Sequence, residues 1–233
     1  MTQFETTRWS LVLRARDAAP QARAALEALC RIYRPPVLAY VRGRGYPADS
    51  AEELAQAFFA QFLEHAWHAD ADPARGRFRT FLLTTLKRHL VDSTIAAHAL
   101  KRGGELHFES LRVDDPSIPV DADPPERAFE RAWALTVLQT AVGRLQAEAD
   151  RAGKRELFAA LREFLLERPD EDDYARVAHG LGMRRNTLAV AVHRLRHRLR
   201  ELVEAELAQT TCNEDQFHDE MRELRTALDA AMG

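Results

Sequence analysis

The stretch Tyr174-Ala-Arg-Val-Ala-His-Gly-Leu-Gly-Met-Arg-Arg-Asn-Thr-Leu-Ala-Val-Ala-Val-His-Arg-Leu-Arg196 carries the most specific local pattern in the chain. A short helix with small Ala178 on its packing side runs into Gly180-Leu181-Gly182, a turn signal. Asn186 or Thr187 is placed to cap a second helix, in which Leu188, Val192, Leu195 and Leu199 recur at three- and four-residue intervals. This is the pattern of a helix-turn-helix, whose second helix enters the major groove N-terminus first. Arg184 and Arg185 lie just before that helix, Asn186, Thr187 and His193 along it, and Arg194, Arg196, Arg198 and Arg200 further on, where they suit phosphates. The same spacing also fits a plain surface pair of helices.

Working outward, the charge pattern supports the nucleic-acid reading. The net charge of −3 is an average over opposed segments. Arg75, Arg77, Arg79, Lys87, Arg88, Lys101 and Arg102 face a single acid, Asp92, between residues 75 and 104. Residues 184–200 hold arginines and no acid, whereas 105–130 is dominated by aspartate and glutamate, and the tail after Arg200 is acidic again. Two basic stretches split by an acidic one suggest two polyanion-binding surfaces.

Composition indicates an all-α fold. Ala, Leu, Arg and Glu are abundant, hydrophobic residues make up 46% of the 233, and β-branched runs are nearly absent. Helices are predicted over Arg8–Leu13, over Ala19–Tyr40 with a kink or break at Pro35-Pro36, and from an N-cap at Asp49-Ser50 through Leu54, Phe58, Phe62 and Trp67. After a break from Asp70 to Gly76, Phe78, Phe81, Leu82, Leu86 and Leu90 begin another, closed by Gly103-Gly104. Residues 105–125 have four prolines and no helical period, which predicts a flexible acidic linker. Helices resume over Glu126–Leu145, Lys154–Leu166, Tyr174–Gly180 and Asn186–Glu206, and Phe217, Met221, Leu224 and Leu228 mark a short amphipathic C-terminal helix. The expected organisation is a helical domain at 1–104, the linker at 105–125, a helix-turn-helix domain at 126–207 and an extension at 208–233.

No run approaches the roughly 20 apolar residues of a membrane span, and the N-terminus has no signal-peptide core, so a cytoplasmic protein with no membrane partner is expected. Cys30 and Cys212 form no metal or redox spacing. His65 with His68 and His193 with His197 are each half of a metal site without a third ligand. No catalytic residue, cofactor or metal is expected.

On these residues the chain resembles an extracytoplasmic-function sigma factor of the sigma-70 family over about 8–105 and 126–207. Tyr174, Ala178, Leu181, Gly182, Thr187, Leu188, Val192, Arg194 and Arg196 match the family's region 4 pattern; Glu53, Gln56 and Phe59, and then Phe78, Phe81 and Leu82, match its region 2 motifs. The resemblance implies that Glu52, Glu53, Gln56 and Phe59 bind the β′ clamp helices of the RNA polymerase core. It implies that Arg75, Arg77, Phe78, Phe81, Lys87 and Arg88 meet the −10 element, the segment 70–78 capturing an unstacked base. Arg184, Arg185, Asn186, Thr187, His193, Arg194, Arg196 and Arg198 would read the −35 element, with the β flap a further polymerase contact and the linker threading a basic channel.

Two departures stand out. Ala189 and Ala191 replace long donors of the family's recognition helix, which leaves base readout to smaller contacts. Ala57 replaces a carboxylate of the docking helix. In this it resembles a subset switched on by a Ser/Thr kinase, and Ser50 is the candidate acceptor, although a plain N-cap serine is the commoner and favoured reading of that residue. Thr80, Thr84 and Thr85 are weaker acceptors. The acidic C-terminal helix could cover the basic second domain. A stand-alone helix-turn-helix regulator and a sigma-like interaction adaptor are the alternative readings.

Overall fold

A computed structural model describes residues 20–65, 67, 77–101, 124–167, 170–209, 211 and 213–232. Among the described residues every regular element is helical. The elements are α1 (Pro20–Gly43), α2 (Ala48–Glu64), α3 (Phe78–Lys101), α4 (Pro125–Arg151), α5 (Arg155–Leu161), a 3-10 turn (Glu163–Leu165), α6 (Glu171–Gly180), α7 (Arg185–Ala208) and α8 (Glu214–Met232). The helix expected at Arg8–Leu13, the break at Asp70–Gly76 and all but the last two residues of the predicted linker lie outside the described residues.

The chain forms two compact units. One holds the residues up to Thr136 and from Ala208 onward; the other is Val137–Leu207. The divisions fall inside α4 and α7, so residues 124–136 and the C-terminal helix are grouped with the first unit.

The first unit is built on apolar stripes at helical spacing. Leu29, Tyr33, Val37 and Val41 of α1, Ala51, Ala55, Phe58 and Phe62 of α2, and Phe78, Leu82, Leu86 and Leu90 of α3 are all buried. Their aromatic rings meet edge to face, Tyr33 on Phe78 at 5.2 Å and Phe62 on Phe78 at 6.4 Å, a favoured arrangement of ring quadrupoles. Phe129 and Trp133 from the start of α4 complete this core. A Cβ added at Gly43 would come within 3.1 Å of the Pro125 Cα, so the absence of a side chain there permits the close approach of α1 to α4.

Pro35-Pro36 does not break α1, which runs unbroken to Gly43. Two missing N–H donors are offset by the burial of Tyr33, Val37, Leu38 and Val41 on either side. The N-cap of α2 is Pro47 and no side chain bonds there, so Ser50 is the third residue of the helix and not its cap. Trp67 lies beyond the end of α2 and packs back on Phe62 at 6.5 Å.

In the second unit Leu161, Phe164, Ala178, Leu188 and Val192 form one buried cluster. A capping box starts α6 at Glu171, three residues before the expected Tyr174: Asp173 N–H donates to Asp170 Oδ1 at 2.8 Å, and Asp170 N–H donates to Asp173 Oδ2 at 3.3 Å. The helix ends in a Schellman motif. Met183 N–H donates to the Ala178 carbonyl at 2.9 Å and Gly182 N–H to that of His179 at 3.1 Å. Gly182 has φ +62°, a left-handed conformation open to glycine at little cost. The next helix begins at Arg185, so neither Asn186 nor Thr187 is its cap; both sit inside its first turn.

Candidate nucleic-acid and polymerase interface

On α2, burial of Ala51, Ala55, Phe58 and Phe62 turns Glu53, Gln56 and Ala57 to solvent. Glu52 is directed elsewhere: Oε2 takes Arg34 Nη2 at 2.5 Å, and Oε1 lies 3.6 Å from Arg42. Phe59 is half-buried, its ring 5.2 Å from Phe58. Of the four expected docking residues, Glu53 and Gln56 thus share an exposed face with Ala57, while Glu52 is braced against α1 and Phe59 is partly packed.

The residues expected at the −10 element are less open than their sequence pattern suggests. Phe78 is 2% exposed and belongs to the core, so it has no face on which a base could stack. Phe81 is half-buried against Phe62 and Phe78, with centroids 6.5 and 6.3 Å away. Lys87 Nζ lies 2.6 Å from Glu126 and 5.9 Å from the centre of the Tyr40 ring. The Glu126 carboxylate, hydrogen-bonded by Lys87, is held below its usual range, and the Lys87 ammonium is raised by the same bond. Arg88 is exposed. Arg75 lies outside the described residues.

Arg77 and Arg79 are drawn into one ion cluster with α8. Arg77 pairs with Glu223, lies 3.4 Å from Glu220 and stands 3.8 Å from Asp219. Arg79 is 3% exposed; it pairs with Glu130 and Glu223, lies 3.3 Å from Glu220, and its guanidinium sits 4.1 Å from the centre of the Trp133 ring. Burial pushes the Glu220 carboxyl up, against the pull of Arg79 and Arg77. For Glu223 burial also acts upward, but hydrogen bonds from Arg77 and Arg79 outweigh it and hold the carboxyl below its usual range. Three carboxylates of the acidic C-terminal helix, Asp219, Glu220 and Glu223, thus engage Arg77 and Arg79 within the first unit.

Sequence reading did not assign Arg79 or Glu220. A signal was present, because Arg79 stands three residues before Leu82, and Glu220 lies three after Phe217 and four before Leu224. Both charges fall in the register of an apolar stripe.

The second unit contrasts in its freedom. Arg184, Arg185, Asn186, Thr187, His193 and Arg194 are all exposed at or along the first half of α7, with Ala189 and Val190 between them. Among the described residues Arg184, Arg185 and Arg194 make no ion pair. Asn186, Val190, His193 and His197 fall at i, i+4, i+7 and i+11, a single helix face. Two of the expected phosphate contacts are used internally. Arg196 donates from Nε to the Phe164 carbonyl at 2.8 Å and from Nη2 to that of Glu167 at 2.5 Å. Arg198 makes a two-pronged bond to Glu148 at 2.9 and 2.8 Å and a third to Glu201 at 2.6 Å, which raises its guanidinium further and holds Glu148 low.

Among the described residues no group of three or more His, Cys, Asp or Glu could hold a metal ion. His65 stacks on Trp67 at 5.9 Å and His197 lies 3.4 Å from Glu201. No helix described is long and apolar enough to cross a membrane.

Residues 29–97, from the buried half of α1 through α2 and most of α3, match the model of the family described as Sigma-70 region 2. No curated protein and no solved structure matches the chain. The matched segment is the same three-helix core that presents Glu53, Gln56 and Arg88, and over these residues the chain is similar to sigma-70 region 2.

Proposed function

We propose that the protein is a sigma factor of the extracytoplasmic-function type that brings bacterial RNA polymerase core to specific promoters. The region 2 match over residues 29–97 carries this reading. The exposed face of α2, with Glu53, Gln56 and Ala57, docks on the β′ clamp helices, and α3 lies toward the −10 element. The helix-turn-helix of α6 and α7 reads the −35 element through Arg184, Arg185, Asn186, Thr187, His193 and Arg194. The exposure of these side chains and the absence of acidic residues from 184 to 200 support that role. A groove of about 810 Å³ in the same unit, lined by Leu166, Val177 and Leu181, offers apolar surface to the β flap. Direct readout is limited by Ala189, and exposed Val190 suits a thymine methyl.

Co-purification with core polymerase followed by run-off transcription from a promoter library tests this. Core binding with promoter-dependent transcripts is expected. DNA binding without core would identify a stand-alone regulator, and core binding without transcripts a sigma-like adaptor.

Ser50 remains the phosphorylation candidate for a Ser/Thr kinase, on a different basis from capping. Ser50, Glu53 and Ala57 lie at i, i+3 and i+7, along one face of α2. A phosphate on Ser50 adds about −1.5 to −2 charges to the stripe that Ala57 leaves neutral, within the first turn where the helix dipole favours it. Ser50→Glu is expected to raise run-off transcription and Ser50→Ala to abolish its activation; equal transcription from both defeats the switch.

A further inference from the structure

The cluster joining α3 to α8 has an unusual composition for a helix-packing contact. Arg79 and Glu220 are each 3% exposed, so both charges have been taken out of water, a step that apolar residues of the same volume would avoid. The rest of the cluster is wet. Side-chain exposure is 24% for Arg77, 45% for Asp219 and 46% for Glu223. A dry pair is therefore continuous with a solvent-facing rim, from which an incoming anion can exchange with the carboxylates one at a time.

The anions that fit are limited by the donors. Two guanidinium forks two residues apart share Glu220 and Glu223, with Asp219 beside Arg77 alone and Glu130 beside Arg79 alone, and such forks match phosphate oxygens as well as carboxylate oxygens in charge and geometry. The hold of α8 through its apolar stripe is incomplete: Leu224 is buried, but Phe217, Met221 and Leu228 are only half-buried. Its acidic face is thus the second element of the contact that seats it.

We propose that Arg77 and Arg79 are a phosphate-binding pair for single-stranded nucleic acid, and that Asp219, Glu220 and Glu223 occupy it in place of the backbone until α8 is displaced. The inference rests on the reading of this unit as a DNA-binding module, and adds to it that the free chain masks its own −10 face with its C-terminal helix. Nucleic acid and α8 then compete for the same donors, so each lowers the other's occupancy by the same factor.

The test uses the full chain and a fluorescein-labelled oligo-dT as probe, read by anisotropy over a salt series. Glu220→Gln with Glu223→Gln is expected to tighten binding about tenfold, the size of an ordinary coupling between competing occupants. It should also steepen the logarithmic salt slope by about 1.4, the contribution of two single-strand phosphates. Glu223→Gln alone, at a half-exposed position, gives a smaller change in the same direction and serves if the double variant fails to fold. In the wild-type chain, saturating oligo-dT is expected to speed amide hydrogen exchange across α8. Unchanged affinity and slope in a folded variant, or unchanged α8 exchange under saturating oligo-dT, overturns the proposal. Run-off transcription separates the two readings. A variant with the steeper slope but no core-dependent transcripts defeats the sigma reading alone, and normal transcripts with an unchanged slope defeat the mask alone.

Discussion

The arginines of α3 and those at the start of α7 meet opposite circumstances. Arg77 and Arg79 are paired with carboxylates of Asp219, Glu220, Glu223 and Glu130 within the first unit. Arg184, Arg185 and Arg194 stand exposed on the second. Within α7 the same split recurs over a few residues, since Arg196 and Arg198 turn inward to carbonyls and carboxylates while Arg194 does not. Charge density along a chain measures how much cation is present; the availability of that cation is set by which acids the fold brings within a few ångströms.

The largest expected effect comes from removing the buried cation. Arg79→Leu leaves Glu220 in a dry site without its main partner, and the loss in unfolding free energy is expected to be about 3 kcal/mol, measured by urea denaturation. Arg198→Ala, at a side chain 45% exposed, should lose less than about 1 kcal/mol in the same assay. Comparable losses from both would break the contrast between dry and wet arginines.

Next come the free arginines. Arg184→Ala with Arg185→Ala is expected to weaken duplex binding and to reduce the salt slope by about 1.8, for two phosphate contacts, with little change in the urea midpoint. Arg196→Ala should do the reverse, costing about 2 kcal/mol through its two charge-assisted bonds to carbonyls and leaving the slope in place. A fall in slope for Arg196→Ala would show that its inward bonds open on DNA.

The smallest effect concerns His89, which lies on the buried side of α3 with Arg79. It bonds Gln61 Oε1 through Nδ1 at 3.1 Å, and burial pushes its imidazole below the usual value, against a weaker upward pull from Asp92. The unfolded chain, titrating near about pH 6.5, then binds a proton that the folded chain refuses. Stability from this group is complete above the unfolded-state value and is lost as pH falls below it toward the folded-state value. His89→Leu is expected to flatten that part of the pH dependence of the urea midpoint, and an unchanged curve would mean that His89 stays solvated.

Much of the fold was legible because local spacing decided it. Phe78, Leu82, Leu86 and Leu90 recur every four residues and bury together, and Gly182 sits where a left-handed residue is needed. Capping was misread twice. Pro47 precedes α2 and α7 begins at Arg185, while Ser50, Asn186 and Thr187, favoured as caps by residue type, lie within helices. Capping preference names a residue type, and several candidates within a few residues leave the choice to tertiary packing. The site was legible only as a list of basic residues. Arg79 and Glu220 are 141 positions apart, and no local period links them. At Phe78 the motif that implies an open aromatic and the core stripe coincide in one residue, and the core claims the ring.

The inward bonds of Arg196 have a consequence for association thermodynamics. A helix already bound at its flank to the carbonyls of Phe164 and Glu167 has little torsional freedom left to surrender when a partner arrives. The guanidinium that forgoes a phosphate contact thus lowers the ordering cost of every contact made by its neighbours on the exposed arc. Binding through α7 should then carry a small entropic penalty and a heat-capacity change no larger than the contact surface itself requires.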